Sequence, residues 1–356
     1  MKIYKRLFAV TLLLLFAACS KENTVTTIPY ITPEESDGVS LKSSAPFPWG
    51  AAVNVSLIKS NAAYRALVEK EMSSLTSENE MKMSRIRSSQ TAWYFTDADY
   101  IVSFAQEHNI RVHGHTLIWH RSPAWLDTYQ GDAAAWEAMF KEYIQTVVGR
   151  YKGKVTSWDV VNEAINEDGT LRTSIWQQKL GNDYIARAFQ YAHEADPGAL
   201  LFYNDYGNEY STVKREAILA LVNSLKSRGI PINGIGLQMH TRYNQSDVNL
   251  ANAINSAAQT GLKVHIAELD IAVNPDNNQS LTFTSSLAQQ QADKYKFIVK
   301  TYNAIPKAQQ FGITTWNLTD GDTWITGEYK RPDWPLPFDS NYKRKAAYQG
   351  ILDGLK

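Results

Sequence analysis

Two glutamates in this 356-residue chain stand where acid–base work can be done. Glu163 follows Asn162 at the close of a β-type run, 156–162, and Glu268 lies near the close of another, 263–269. Hydrolysis of a glycosidic bond needs such a pair in different electrostatic states. One carboxyl keeps its proton for the leaving oxygen, and the other is ionised to attack the anomeric carbon. Other runs end in polar or aromatic groups too. A third run ends in His115-Thr116-Leu117-Ile118-Trp119-His120 and a fifth in Asn204-Asp205-Tyr206. The sixth ends in Gln238-Met239-His240, the seventh in Glu268-Leu269-Asp270, and the eighth leads from Trp316 to Trp324. A single glutamate at a strand end reads as solvated surface charge. So many at once do not.

These residues need elements to hold them. After residue 46 the strand candidates are 50–57, 74–79, 111–119, 156–162, 199–205, 234–240, 263–269 and 311–317. Helical patterns over 97–109, 133–151, 183–195, 212–228, 248–259 and 286–303 alternate with them, several starting at Ser, Thr or Asp and stopping at Gly or Pro. Strand and helix in eightfold alternation imply a parallel sheet that closes, the α/β class (β/α)8 TIM barrel, with 46–356 as a single catalytic domain. An open doubly wound sheet fits the pattern alone, but no glycine-rich phosphate loop follows the first strand. A barrel places catalytic groups at the C-terminal ends of its strands. Strands four and seven lie on opposing sides of the ring, so carboxyls reaching inward should stand near the ~5–5.5 Å of retaining enzymes.

Composition narrows the class. Lys+Arg 36 balance Asp+Glu 36, and no basic block is present, which argues against a nucleic-acid partner. Ten Trp and nineteen Tyr offer flat apolar faces with a polar handle, suited to sugar rings, although most belong to the core. Lys2, Lys5 and Arg6 precede an apolar run, 7–18, that is too short to span a bilayer, and Cys19, the only cysteine, follows. The Ala17-Ala18-Cys19 ending resembles a bacterial lipobox, with Phe16 where Leu is more usual. The expectation is a signal peptide at 1–18, lipidation of Cys19 and a polar tether over 19–45, giving an exported, membrane-anchored lipoprotein. Loss of Lys2, Lys5 and Arg6 from the balanced 36 and 36 leaves a formal charge of −3. With one cysteine, no disulfide can form within the mature domain.

The segments Glu78-Asn79-Glu80-Met81-Lys82, Gly114 to His120, Trp158-Asp159-Val160-Val161-Asn162-Glu163, Asn204-Asp205-Tyr206 and Ala267-Glu268-Leu269-Asp270 together resemble glycoside hydrolase family 10, mainly endo-β-1,4-xylanases. The resemblance runs from about Pro46 to the C-terminus. It implies Glu163 as general acid/base and Glu268 as nucleophile, with Asn162 on the 2-hydroxyl of the sugar under attack. It also implies His240 bonded to Glu268 with Asp270 behind the imidazole. Glu78, Asn79, Lys82, His115, Trp119 and Gln238 match glycone-subsite residues, Trp316 and Trp324 the pair over the sugars, and Tyr206 an aglycone aromatic. Asn204 belongs with the substrate-binding set. The implied substrates are xylan and xylo-oligosaccharides, cut by a monomer without metal or cofactor.

Some positions depart from the family pattern: Met83 for Trp, His113 for Arg, Arg121-Ser122 for a Gln-containing stretch, Ala267 for Thr and Gly207 for Asn. They bear on subsite preference rather than on the reaction. Two other classes compete. His113-x-His115, His240 and Asp320 invite a zinc hydrolase, yet that pair would end the first strand rather than the third. A non-catalytic glycan-capturing lipoprotein would not need a matched acid and nucleophile. A barrel hydrolase of the same mechanism acting on another β-1,4-glycan differs only in substrate.

Overall fold

The computed structural model describes residues 38–356, so the expected signal peptide, Cys19 and the tether up to residue 37 lie outside the described residues. The strands are β1 (Trp49–Val53), β2 (Ser74–Ser77), β3 (Arg111–Gly114), β4 (Ser157–Asn162), β5 (Leu200–Asp205), β6 (Gly234–Leu237), β7 (Lys263–Ala272) and β8 (Gln310–Trp316). Each pairs in parallel with the next, and β8 pairs with both β7 and β1, which closes the sheet into a barrel. Two short segments, Ile118–Trp119 and His240–Arg242, extend the mouth by pairing with β4 and β7.

The outer layer is α1 (Ala62–Glu71), α2 (Thr96–Glu107), α3 (Ala133–Arg150), α4 (Tyr184–Ala195), α5 (Thr212–Ser227), α6 (Asp247–Gln259), α7 (Ser285–Asn303) and α8 (Ala346–Leu355). Asp132, Ser211 and Thr284 accept first-turn amide hydrogen bonds from Ala135, Lys214 and Leu287 and so start α3, α5 and α7. On α7 the buried Ala288, Ala292, Tyr295, Ile298 and Tyr302 recur every three or four residues, a stripe that faces the barrel. Among the described residues no helix is long and apolar enough to cross a membrane.

Three strand expectations break off three or more residues early at their C-terminal ends. The run 50–57 stops at Val53, because Asn54 accepts the Leu57 amide at 3.2 Å and starts the helix Val55–Ser60. The run 111–119 breaks after Gly114, where the Trp158 indole lies so close that a β-carbon would come within 2.1 Å of it. The run 234–240 breaks after Leu237, and Met239 takes a left-handed φ of 61°.

The tether boundary also moves. Residues 39–45, expected in the tether, belong to the folded domain. Ser40 caps the helix Leu41–Ser44, and Leu41 is fully buried. The Leu41 amide donates to Glu71 Oε2 at 2.8 Å. Glu71 also accepts from Arg344 at 2.7 Å and from the Tyr348 hydroxyl at 3.1 Å. Arg344 in turn donates to the Val39 carbonyl. One apolar residue in a four-residue helix leaves no period to read in the sequence. Farther along, Phe47 packs edge-on against Tyr302, and the Pro48 carbonyl accepts the Ile313 amide. The chain thus reaches β1 at its foot, the end away from Glu163.

Candidate active site

Glu163 sits just past β4 with φ 58°, a left-handed conformation that costs an ordinary side chain about 1–3 kcal/mol and needs support around it. Support comes from both sides. Its amide donates to the Asn204 carbonyl at 2.9 Å, and its own carbonyl accepts Arg172 Nε at 2.8 Å. The carboxylate lies across the mouth: Oε1 accepts from Gln238 Nε2 at 3.0 Å and Asn162 Nδ2 at 3.2 Å, and Oε2 lies 3.5 Å from His120 Nδ1.

Glu268 is held more deeply, with 4% of its surface exposed. Strand β7 continues beyond the expected residue 269 to Ala272, and its pairing sets His240 opposite Asp270. A relay follows from that register. Trp324 Nε1 donates to Asp270 at 2.7 Å, Asp270 lies 2.7 Å from His240 Nδ1, and His240 Nε2 lies 3.1 Å from Glu268 Oε2. Asn204 Nδ2 donates to the other oxygen at 2.7 Å. Burial pushes the Glu268 carboxyl up, but the His240 hydrogen bond and the fields of His115 and His240 outweigh it and hold the group below the usual carboxylate range. Burial pushes His240 down. The Asp270 and Glu268 carboxylates overcome that and raise the imidazole well above its ordinary value.

Three amides join the two acids. Asn204 Nδ2 also reaches Asn162 Oδ1 at 3.0 Å, and Gln238 Nε2 reaches the same oxygen at 3.3 Å. Register puts Asn162 beside Asn204 and Asn204 beside Gly236. A β-carbon on Gly236 would fall 2.3 Å from Asn204 Oδ1, so glycine leaves the space that Asn204 occupies.

The remaining predicted residues gather around this pair. Lys82 Nζ donates to Asn79 Oδ1 at 3.2 Å and lies 5.2 and 5.6 Å from the Trp119 and Trp316 ring centroids. Burial lowers Lys82, offset by Glu268, Glu78 and Glu163, and burial raises Glu78, offset by Lys82. Trp316 meets His115 edge-on at 5.1 Å and His240 at 6.2 Å. On the other side of Glu163, the Tyr206 hydroxyl accepts from Arg172 at 3.0 Å, with Lys214 Nζ 3.2 Å from its ring centroid.

The departures separate by position. Met83, Arg121 and Ser122 line a small recess with Lys82 and Trp119. Gly207 has φ 78°, which both Gly and Asn adopt at low cost, so this exchange leaves the loop backbone unchanged. His113 points into the barrel instead, 2.7 Å from Ser157 Oγ and 3.1 Å from Asp159. The zinc-type set is likewise dispersed. His113 and His115 share Asp159, His240 pairs with Asp270, and Asp320 pairs with Lys345 at 2.8 Å.

Several working residues escaped the sequence reading. Asp159 orients His115 at 2.9 Å, and against its burial the two histidines hold its carboxyl well below the usual range. An acid inside an apolar strand was the available signal. Arg172 clamps both Glu163 and Tyr206, and buried Lys214 bridges Asp205 and Glu167 at 3.2 and 3.0 Å. Arg172 lies between the predicted elements, and Lys214 lies in the helical pattern 212–228, where a lysine reads as a solvated face.

Comparison with known proteins agrees with this geometry. The model of glycosyl hydrolase family 10 matches residues 39–354. Endo-beta-1,4-xylanase Xyn10C of Cellvibrio japonicus is 38% identical over 341 residues, covering 87% of this chain and 56% of the relative. Endo-1,4-beta-xylanase B of Paenibacillus barcinonensis is 38% identical over 319 residues, covering 86% and 95%. Among solved structures, native xylanase 10B of Thermotoga maritima superposes with TM-score 0.83 at 33% identity, covering 89% of this chain and 98% of the other. Xylanase10C of Cellvibrio japonicus, solved as a mutant with xylopentaose, superposes at 0.84 with 37% identity, covering 89% and 69%. A match that spans the whole barrel, with relatives more than a third identical, leaves one assignment: the chain belongs to glycosyl hydrolase family 10.

Proposed function

We propose that the protein is an endo-acting β-1,4-xylanase that works with retention of configuration on xylan and xylo-oligosaccharides. The observation that carries the reading is the contrast between its two glutamates. Glu268 is buried, ionised and steadied by His240 and Asn204, as a nucleophile requires, whereas Glu163 stands at the mouth among neutral amides. In the first step Glu268 attacks the anomeric carbon while Glu163 gives its proton to the departing oxygen. In the second, Glu163 takes a proton from water, which attacks the glycosyl-enzyme from the face the leaving group vacated. Asn162 holds the 2-hydroxyl, and the contact strengthens as the ring flattens. Lys82, Trp119 and Trp316 cradle the glycone, and Tyr206 meets the aglycone.

Linear xylohexaose should be cut internally, giving short oligomers before free xylose. Glu268→Ala should end all turnover. Glu163→Ala should lose xylan hydrolysis by orders of magnitude yet still react with an aryl xyloside, and azide should rescue it to a β-xylosyl azide. An α-azide, or xylose as the sole early product, would overturn the reading.

The domain acts as a monomer in this reading, hung from a membrane by lipidated Cys19 after removal of residues 1–18. What supports the anchor is the apolar run that ends at Ala17-Ala18-Cys19. Cys19→Ser should move the protein from the membrane to the soluble fraction, and a wild-type protein already soluble rejects the anchor.

A further inference from the structure

His240 and Trp324 also line a cavity of about 240 Å³. That volume falls below the ~300–1,000 Å³ of drug-sized pockets and suits one sugar ring. Two arginine–tyrosine pairs bracket it. The Arg242 guanidinium lies 5.3 Å from the Tyr210 ring centroid, and that of Arg331 lies 4.9 Å from the Tyr329 centroid. Tyr210 and Tyr329 are 40% and 49% exposed, so part of each ring stays open beside its arginine. Tyr210 is also fixed in place, its hydroxyl donating to the His240 carbonyl at 3.1 Å.

The charges do not cancel inside the cavity. Arg242 is exposed and has no carboxylate partner among the described residues. Arg331 lies 3.2 Å from Asp333, whose other oxygen accepts the Val273 and Trp334 amides. The one acid in the lining, Asp270, is buried and committed to His240 and Trp324. Guanidinium groups laid on aromatic faces, with a cation to spare, match a sugar that carries a carboxylate.

We propose that this cavity binds a uronic acid carried as a side group on the polysaccharide, with Arg242 as the main carboxylate contact and Arg331 as the second. The inference rests on the xylanase reading and adds a specificity to it. The cavity shares His240, Asp270 and Trp324 with the relay behind Glu268, which sets it beside the place where the sugar under attack binds.

The test uses the full chain and three xylo-oligosaccharides of equal backbone length. One is unsubstituted, one carries a single glucuronate, and one carries the same group with its carboxylate reduced to the alcohol. Wild type should cut the glucuronate substrate with kcat/KM about tenfold above its reduced form. The margin should shrink with added salt. Arg242→Gln should remove that margin and leave cleavage of the unsubstituted substrate unchanged, and Arg242→Lys should restore part of it. Equal rates on the glucuronate substrate and its reduced form overturn the proposal, as does an Arg242→Gln loss of the same size on all three. If wild type cuts none of them, the xylanase reading falls instead. Calorimetry of free glucuronate on wild type and Arg242→Gln then decides the cavity: tighter binding to wild type supports it, and no difference rejects it.

Discussion

Among the described residues Glu209 is as deeply buried as any acid, and neither of its carboxylate oxygens completes a hydrogen bond. Burial raises it from near 4.5 to about 7, with its own backbone amide, His240 and Lys214 offsetting only part. The consequence for stability has a definite sign. Between about pH 4.5 and 7 the unfolded chain releases a proton that the folded chain keeps, so this group's contribution to stability falls as pH rises through that window. Above about 7 it is flat. Glu209→Gln, a neutral shape match, should therefore be more stable than wild type at pH 8 by up to about 3 kcal/mol and equal to it near pH 4.5. Denaturant melts at the two pH values measure this, and parallel pH dependence in both proteins would remove Glu209 as the source. Glu163 and Glu268, unlike Glu209, have hydrogen-bond partners for their carboxylates. Side-chain amides meet both, those of Gln238 and Asn162 at Glu163 and that of Asn204 at Glu268.

At the scale of elements, the strand ends do the positioning, and their fine structure was only partly visible in the sequence. The apolar runs marked where most strands lie, because a strand buried on both faces is written as a short continuous apolar stretch. They misplaced where several stop. Asn54-Val55-Ser56-Leu57 alternates like a strand, yet the Asn54 side chain captures the Leu57 amide and turns it into helix. Glu163 and Met239 are left-handed without being glycine, which no propensity signals. The site motifs were legible because the ligating residues are local to each strand end. Arg172 and Lys214 were not, because their partners lie 9 to 47 positions away along the chain. Gly236 shows how tightly one element constrains the next. Gly236→Ala should push Asn204 off Glu268 and Asn162, lowering kcat by roughly 100-fold while the far-ultraviolet spectrum stays native. Full activity in that variant would mean that Asn204 relaxes without losing its bonds.

For the whole molecule, closure depends on more than the sheet. The buried Glu71 at the end of α1 ties the Leu41 amide, Arg344 and Tyr348 together, so the first folded residues and the last helix share one carboxylate. Glu71→Ala would leave the Arg344 guanidinium buried without its charge partner and should cost about 3–5 kcal/mol. Denaturant unfolding of the variant measures the loss, and a cost below about 1 kcal/mol would show that Arg344 finds water instead. The same junction decides how the domain bears force. If the protein hangs by its N-terminus from a membrane and grips a fixed polymer, tension arrives at residue 39. The first bonds in its path are the Val39 carbonyl on Arg344 and the Leu41 amide on Glu71. They pass the load sideways into α1 and α8. The strands meet it only afterwards, at the foot of β1, so load from the tether is spread over two helices before it enters the barrel.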